Sequence, residues 1–272
     1  MADLDSAELL AAYDAQLRGR PPGPLPDGVH VECDGPLLRY HGRHWRGFVD
    51  YRDLGGLAGA ELDELIARQV RAFAGRAEPF EWKTRGHDEP ADLARRLGAA
   101  GFVPEEVETV VIARVSDVAG EPRPPAGVSL REVSERRDLE RIEAMQYMIW
   151  HQGGTRLADR LAEERAVDPE AVTIVAAEAD GAVVCAGWVR FEPGTEFATL
   201  WGGGTLPAWR GRGIYRSLVA ERARLAELRG RHYLQVDASA ESRPILERLG
   251  FVAVTTTTPY VWSPTPAGSP TG

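Results

Sequence analysis

The 272-residue sequence has only two cysteines, Cys33 and Cys185, far apart and outside any Cys-x-x-Cys or His-rich context. That scarcity excludes a disulfide framework and argues against a zinc site, leaving two free, buried thiols as the expectation. Long apolar runs are also missing. No stretch reaches the roughly 18 to 20 unbroken apolar residues of a membrane span, and Met1 to Arg20 places acidic residues where an export signal needs an apolar run. A cytoplasmic protein is expected. Basic charge is in the minority, with a formal net charge of −9, which disfavours nucleic acid or an anionic membrane as partner.

An apolar fraction of 43% is ordinary for a globular chain and enough for one large or two modest domains. The charge is unevenly spread. Residues 205 to 231 hold seven arginines against Glu221 and Glu227, a basic island in an acidic chain. It reads either as the footprint of a small polyanionic ligand or as a solvated helix face with i, i+4 charge pairs.

Two segments rich in proline and glycine punctuate the chain, AGEPRPPAG at 119–127 and SPTPAGSPTG at 263–272. They read as a linker and a disordered tail, dividing the sequence into domains at 1–118 and 128–262. The second domain alternates between strand and helix signals. VSLREV is a short strand, and RRDLERIEAMQYMIW is a helix with Leu139, Ile142, Met145 and Ile149 at helical spacing. A second helix is expected near 155–166, then strands TIVAAEA, AVVCAGWVRFE and EFATLWGGGT, the first two joined by the hairpin signal Asp180-Gly181. A helix from Gly213 to about Leu228, strand HYLQVD, helix SRPILERL and a closing strand complete a mixed α/β fold. The first domain repeats the end of this pattern in faded form: a helix at 61–76, strand PFEWKT, helix ADLARRL, Gly-Phe and strand ETVVIARV. Before it, DGVHVECDG, PLLRY and HWRGFVDY read as short strands, and nothing in this copy matches the glycine- and arginine-rich loop of the second domain.

That loop lies in residues 201–217, WGGGTLPAWRGRGIYRS, which place five glycines and three arginines between a strand and a helix. Backbone N–H groups at the start of such a helix form an anion site, glycine lets phosphate oxygens approach, and arginine adds charge. A Rossmann fingerprint would need an early βαβ unit and an acidic residue about 20 positions on, and a Walker loop would need Gly-Lys-Ser/Thr. Neither pattern is met.

Motif and element order together make residues 128–262 similar to the GNAT superfamily of acyl-CoA-dependent N-acetyltransferases. Arg210, Gly213 and Tyr215 fall on the three defined positions of its (R/Q)xxGx(G/A) pattern, with Tyr215 departing from the small residue usual there. The resemblance implies a GNAT fold in the C-terminal half beside a degenerate GNAT-like N-terminal half, with acetyl-CoA as co-substrate. It implies a cofactor cradle of Arg210, Gly211, Arg212, Gly213, Ile214, Tyr215 and Arg216, with Arg212 and Arg216 on phosphate and the Tyr215 ring turned outward. Arg222, Arg224 and Arg229 are left on the helix surface. Gly202, Gly203 and Gly204 would allow a bulge, Thr205 and Leu206 would offer backbone groups to the pantetheine arm, and Ser239 stands where an arm-contacting asparagine is common.

The resemblance also implies a tyrosine acid in the last helix, and that position is Leu246. Tyr215 and Tyr260 are the first substitutes to consider. Glu196 and Asp237 are the candidate bases, and His151 is a candidate for lining an acceptor pocket. No metal is expected. The expected activity is acyl transfer from acetyl-CoA to a primary amine, on a small molecule or a peptide. A non-catalytic acyl-CoA-binding module and an interaction scaffold are the alternatives.

Overall fold

The computed structural model describes residues 5–21, 23–42, 46–151 and 156–264. The tail reading beyond residue 264, and the expected strand and turn residues 43–45 and 152–155, lie outside them. Among the described residues no helix is long and apolar enough to cross a membrane, and no cluster of side chains could hold a metal ion.

The chain opens with α1 (Ser6–Leu17) and forms two compact units. The first to be completed contains β1 (Val29–Asp34), β2 (Leu37–Gly42), β3 (Gly47–Asp50), α2 (Gly59–Ala74), β4 (Phe80–Arg85), α3 (Leu93–Ala99) and β5 (Val103–Pro104). Strands β1, β2 and β3 form an antiparallel meander, and β3 then pairs in parallel with β4 through Gly47↔Phe80, Phe48↔Glu81 and Val49↔Trp82. Helix α2 buries Leu62, Leu65, Ile66 and Phe73, an i, i+3, i+4 stripe, against Phe80, Trp82 and Phe102.

The second unit contains β6 (Glu108–Arg114) from Val110 onward, α4 (Val115–Val118), β7 (Ser129–Val133), α5 (Arg136–Trp150) and α6 (Leu157–Val167). It continues with β8 (Val172–Ala179), β9 (Ala182–Phe191), β10 (Phe197–Thr205), a 3-10 turn at Pro207–Trp209, α7 (Ile214–Leu228), β11 (Tyr233–Ala238) and α8 (Arg243–Glu247). Its strand order is β6-β11-β10-β9-β8-β7. Alternate residues serve the two faces: Val175, Val189 and Leu200 pack with α7, whereas Ile174 and Trp188 pack with α5 and α6.

The order of elements agrees with the repeat read in the sequence, but the domain boundaries at 118 and 128 do not coincide with the compact units. Val110–Arg114, the end of the first copy, belongs with β11, while β12 (Val252–Trp262), the closing strand of the second copy, pairs its residues 257–262 with β4. Each copy's closing strand therefore completes the other unit. The segment 119–127 does run without helix or strand. Cys185 is buried as expected, whereas Cys33 is exposed on β1, the first strand of the meander.

Candidate functional site

Strand β10 pairs in parallel with β11 at Phe197↔Tyr233, Ala198↔Leu234 and Thr199↔Gln235, and the ladder stops there although β10 runs on to Thr205 and β11 to Ala238. The strands diverge, leaving an opening flanked by β10 on one side and the end of β11 on the other. On its other edge β10 pairs with β9, with Trp201↔Trp188 followed by Gly204↔Ala186, so Gly202 and Gly203 form a β-bulge. The glycine run is required by its surroundings. At φ +61° a Cβ on Gly202 would fall inside the Trp188 ring. One on Gly203 would meet the Tyr215 ring at 2.9 Å, and one on Gly204 would meet Trp150 Cη2 at 2.8 Å.

The loop after β10 leads to α7 through Gly213 at φ +84°, and a Cβ there would meet open space, so the demand for glycine is conformational. No side chain caps α7 and no acidic residue stands in its first turn. The N–H groups of Ile214, Tyr215 and Arg216 thus open the helix with its positive dipole end toward solvent. Arg210, Gly211, Arg212 and Arg216 are exposed around this turn. Arg210 sends Nε to the Thr205 carbonyl at 3.2 Å, and Arg212 lies over the Trp209 ring at 4.7 Å. These groups can hold a diphosphate, and the divergence can take an extended chain.

Several expected residues are placed differently. The Leu206 N–H is committed to the Val184 carbonyl at 2.9 Å, and the Leu206 carbonyl accepts from Trp209 N–H at 2.8 Å. The Thr205 hydroxyl turns inward to Cys185 Sγ at 3.1 Å. The backbone groups of Leu206 are therefore taken, whereas at Thr205 the carbonyl accepts from Arg210 and the hydroxyl contact leaves the backbone N–H unaffected. Ser239 caps the start of α8, its hydroxyl 3.3 Å from Ser242 N and 3.2 Å from Ser242 Oγ. The Tyr215 ring does not point outward: it folds under β10 against Gly203, with the Arg222 guanidinium close to its hydroxyl. Burial pushes its pKa up. Arg222 is 1% exposed and is no surface residue at all. Its helical spacing from Leu218, Val219 and Ala226 is the sequence signal that could have placed it inside.

The two carboxylate candidates part company. Glu196 precedes β10 and holds exposed His232 at 2.9 Å, and the run of strand up to the bulge at Gly202, roughly 20 Å, separates it from the bulge. Asp237 is half-buried near the end of β11, beyond the last β10 pairing, and accepts from Gln235 Nε2 at 2.7 Å. Leu246, at the position of the missing acid, is fully buried in the core. Tyr260 packs in the other unit, opposite Trp82. His151 ends α5 in the left-handed region at φ 52°, exposed, with Tyr147 6.3 Å away edge to face.

Comparison with known proteins agrees with this geometry. Residues 137–251 match the model of the acetyltransferase (GNAT) family. Among solved structures, a GCN5-related N-acetyltransferase from Kribbella flavida superposes with a TM-score of 0.67 at 17% identity, covering 97% of this chain and 95% of that one. A GCN5-related N-acetyltransferase from Sphaerobacter thermophilus gives 0.63 at 14% identity over 96% and 86%. A tandem GNAT protein from the clavulanic acid biosynthesis pathway gives 0.62 at 13% identity over 97% and 95%. No curated protein matches the sequence. The full-length superpositions extend the likeness in fold to both units, and the similarity to the acetyltransferase (GNAT) family is carried by residues 137–251.

Proposed function

We propose that the protein transfers an acyl group, acetyl in the first instance, from acyl-CoA to a primary amine on a small molecule or a peptide. The observation that carries this reading is the divergence of β10 from β11 beside an uncapped α7. The first-turn N–H groups of α7 behind Gly211–Gly213 hold the pyrophosphate, with Arg210, Arg212 and Arg216 supplying charge around it. The pantetheine arm enters between the diverging strands and uses β10 backbone groups up to Thr205, since those of Leu206 are already taken. CoA supplies an activated carbonyl and a thiol leaving group.

The amine nitrogen attacks the thioester carbonyl carbon, a C–N bond forms, the C–S bond breaks, and its electron pair leaves on sulfur. The amine proton passes to Asp237, directly or through water, and from there to solvent. Asp237 suits this role better than Glu196, which precedes β10 and holds His232. No side chain at position 246 protonates the thiol, whose ordinary pKa of about 8.5 lets it leave as thiolate.

Calorimetric titration with acetyl-CoA, followed by free-thiol release in the presence of an amine panel, tests the reading. Binding with amine-dependent release is expected. Binding without release from any amine would favour an acyl-CoA-binding module, and no binding would favour a scaffold.

A further inference from the structure

Arg222 lies beneath the β10 bulge in an arrangement that packing alone does not require. Its Nη1 donates to the Trp201 carbonyl at 3.3 Å and to the Trp188 carbonyl at 3.4 Å, and its Nε donates to the Leu218 carbonyl at 3.3 Å. The titratable groups facing it are Tyr215 from its own helix and Cys185 from β9, and among the described residues no carboxylate pairs with it. A buried, unneutralised guanidinium is costly, and a methionine or leucine of similar reach would fill the space without that cost. Two glycines leave room for it. A Cβ on Gly187 would stand 2.9 Å from Nη1, and one on Gly203 would stand 3.4 Å from Nη2.

The carbonyls it holds matter for what lies on their other side. The Trp201 carbonyl belongs to the same peptide unit as the Gly202 N–H. The next carbonyl, of Gly202, accepts Gln146 Nε2 at 3.0 Å from α5. Two consecutive peptide units of the bulge are thus gripped by their oxygens from opposite faces of the sheet, by α7 and by α5. Gly202 and Gly203 stand outside the β9 register. A carbonyl bound to a cation or a strong donor polarises its own peptide, making the attached N–H a better donor.

We infer that Arg222 and Gln146 are positioning residues for acyl transfer, fixing the bulge so that the Gly202 N–H, which points away from the carbonyl that Arg222 holds, is aimed, polarised, at the thioester carbonyl oxygen. Arg222 adds a fixed positive charge behind it. As the amine bonds to the carbonyl carbon, the carbonyl electron pair shifts onto oxygen, and it returns as the C–S pair departs on sulfur. A preorganised cation behind the donor stabilises both charge shifts without moving. It therefore supplies part of what a tyrosine at position 246 would. The inference rests on the acyl-transfer reading above.

The test is the infrared carbonyl stretch of bound acetyl-CoA, isolated as the difference between unlabelled and carbonyl-¹³C ligand in the absence of any amine. Wild-type protein should lower the stretch relative to free acetyl-CoA. Arg222→Met should lose more than half of that displacement while binding acetyl-CoA within about twofold of wild type, and Arg222→Lys should keep most of it. The kcat of Arg222→Met should fall by about 10- to 100-fold. If Arg222→Met does not fold, Gln146→Leu on half-buried α5 decides, and a smaller displacement is again expected. A displacement unchanged in every folded variant overturns the proposal while leaving the transferase reading intact. A wild type that binds no acetyl-CoA overturns both.

Discussion

The loops that precede α2 and α7 occupy the same place in the two copies, and they differ in one decisive way. In both, a strand pairs in parallel with its neighbour over three residue pairs and then runs through a glycine-rich turn into a long helix. In the second copy β10 continues from Thr199 to Thr205 beyond the ladder, whereas in the first β3 ends at Asp50, directly after Val49. The first copy therefore has no diverging stretch to receive an extended arm. The cavity beyond Asp50, about 410 Å³, is lined by the carboxylates Asp14, Asp53, Asp88 and Glu89: Tyr51 is fully buried with its hydroxyl on Asp88 at 2.5 Å. Arg18 stacks over its ring at 5.4 Å and pairs with Asp88 at 2.6 Å and Asp14 at 3.0 Å. The loop at Gly55–Gly59 keeps glycines but carries no arginine. An anion site needs a free helix end, and an arm needs a groove. Both copies have an uncapped helix start, but α2 carries Glu61 in its first turn and faces a cavity lined by carboxylates, whereas α7 has no acidic residue there and is surrounded by exposed arginines.

The sharpest way to break that comparison is to damage each helix start in turn. Gly213→Val forces a β-branched residue to φ +84° and should weaken acetyl-CoA binding by at least about 100-fold, near 2.7 kcal/mol. Ala58→Val, at the matching exposed position before α2, should leave affinity unchanged. Calorimetry should return one site per chain in wild type. Two sites, or equal losses from both variants, would mean that the first copy also holds ligand.

Next in size is a contrast between two positive-φ glycines. Gly202→Ala must both adopt φ +61° and displace the Trp188 ring, so a loss of about 3 kcal/mol or more is expected. Gly55→Ala meets the same backbone penalty at φ +62° but open space, and should lose about 1 to 2 kcal/mol. Urea midpoints would separate the two. Equal losses would show that the bulge yields to let Trp188 move.

Much of this contrast is legible in the sequence. The spacing of Arg210 and Gly213 points to the proposed anion site, and the helix, strand, helix, Gly-Phe order reveals the repeat. Long-range choices are not legible. Pattern alone does not tell which sheet receives a closing strand, so residues 110–114 and 255–262 each read as part of their own copy although they complete the other unit. Nor does composition say that one of seven clustered arginines turns inward, because an arginine at a core-facing helical position is rare and the bland reading is normally right. The inward turn of Tyr215 is hidden for a related reason: its pocket is made by Gly203, a glycine whose missing side chain leaves no local signal. Glu196 and Asp237 look equivalent as carboxylates beside strands, and only the end of the β10 ladder distinguishes them.

Buried carboxylates sharpen the comparison through pH, because the two units respond with opposite sign. In the second unit, hydrogen bonds from Arg131 hold the Asp138 pKa below its ordinary value despite opposing burial. A depressed folded value means that its stabilisation is present above the unfolded value of about 3.9 and lost as pH falls through the folded one. Asp138→Asn should therefore cost about 1 to 3 kcal/mol at pH 6 and progressively less toward pH 2. In the first unit, burial raises the Asp50 pKa despite Arg85 and the Gly19 N–H. A raised folded value means that its contribution is complete below the unfolded pKa and declines as pH rises through the folded one. The stability difference should move in favour of Asp50→Asn across that window, measured by urea unfolding at stepped pH. Parallel slopes for the two variants would contradict these environments.

The smallest effect expected is from restoring the residue whose absence is most conspicuous. A lysine-like amine with a pKa of about 10.4 is mostly protonated at neutral pH, whereas a thiol near 8.5 departs readily as thiolate. Deprotonation is the harder problem, and the acid end of the reaction asks for little help. The rate at subsaturating amine should therefore rise from pH 6 to pH 9 without an alkaline fall, since no titrating acid is needed. Leu246 is 0% exposed and packs in the same core as Leu218 and Phe251. A tyrosine there would overpack that core at a cost of about 1 to 3 kcal/mol. With its ring confined among α7 and strand side chains, Leu246→Tyr should leave the rate per folded enzyme within about twofold of wild type, below 0.5 kcal/mol of barrier. A tenfold gain would show that position 246 reaches the reaction centre after all. A bell-shaped profile falling below pH 9 in wild type would instead reveal an acid that these residues do not account for, with Tyr215 under the bulge the first side chain to replace by phenylalanine.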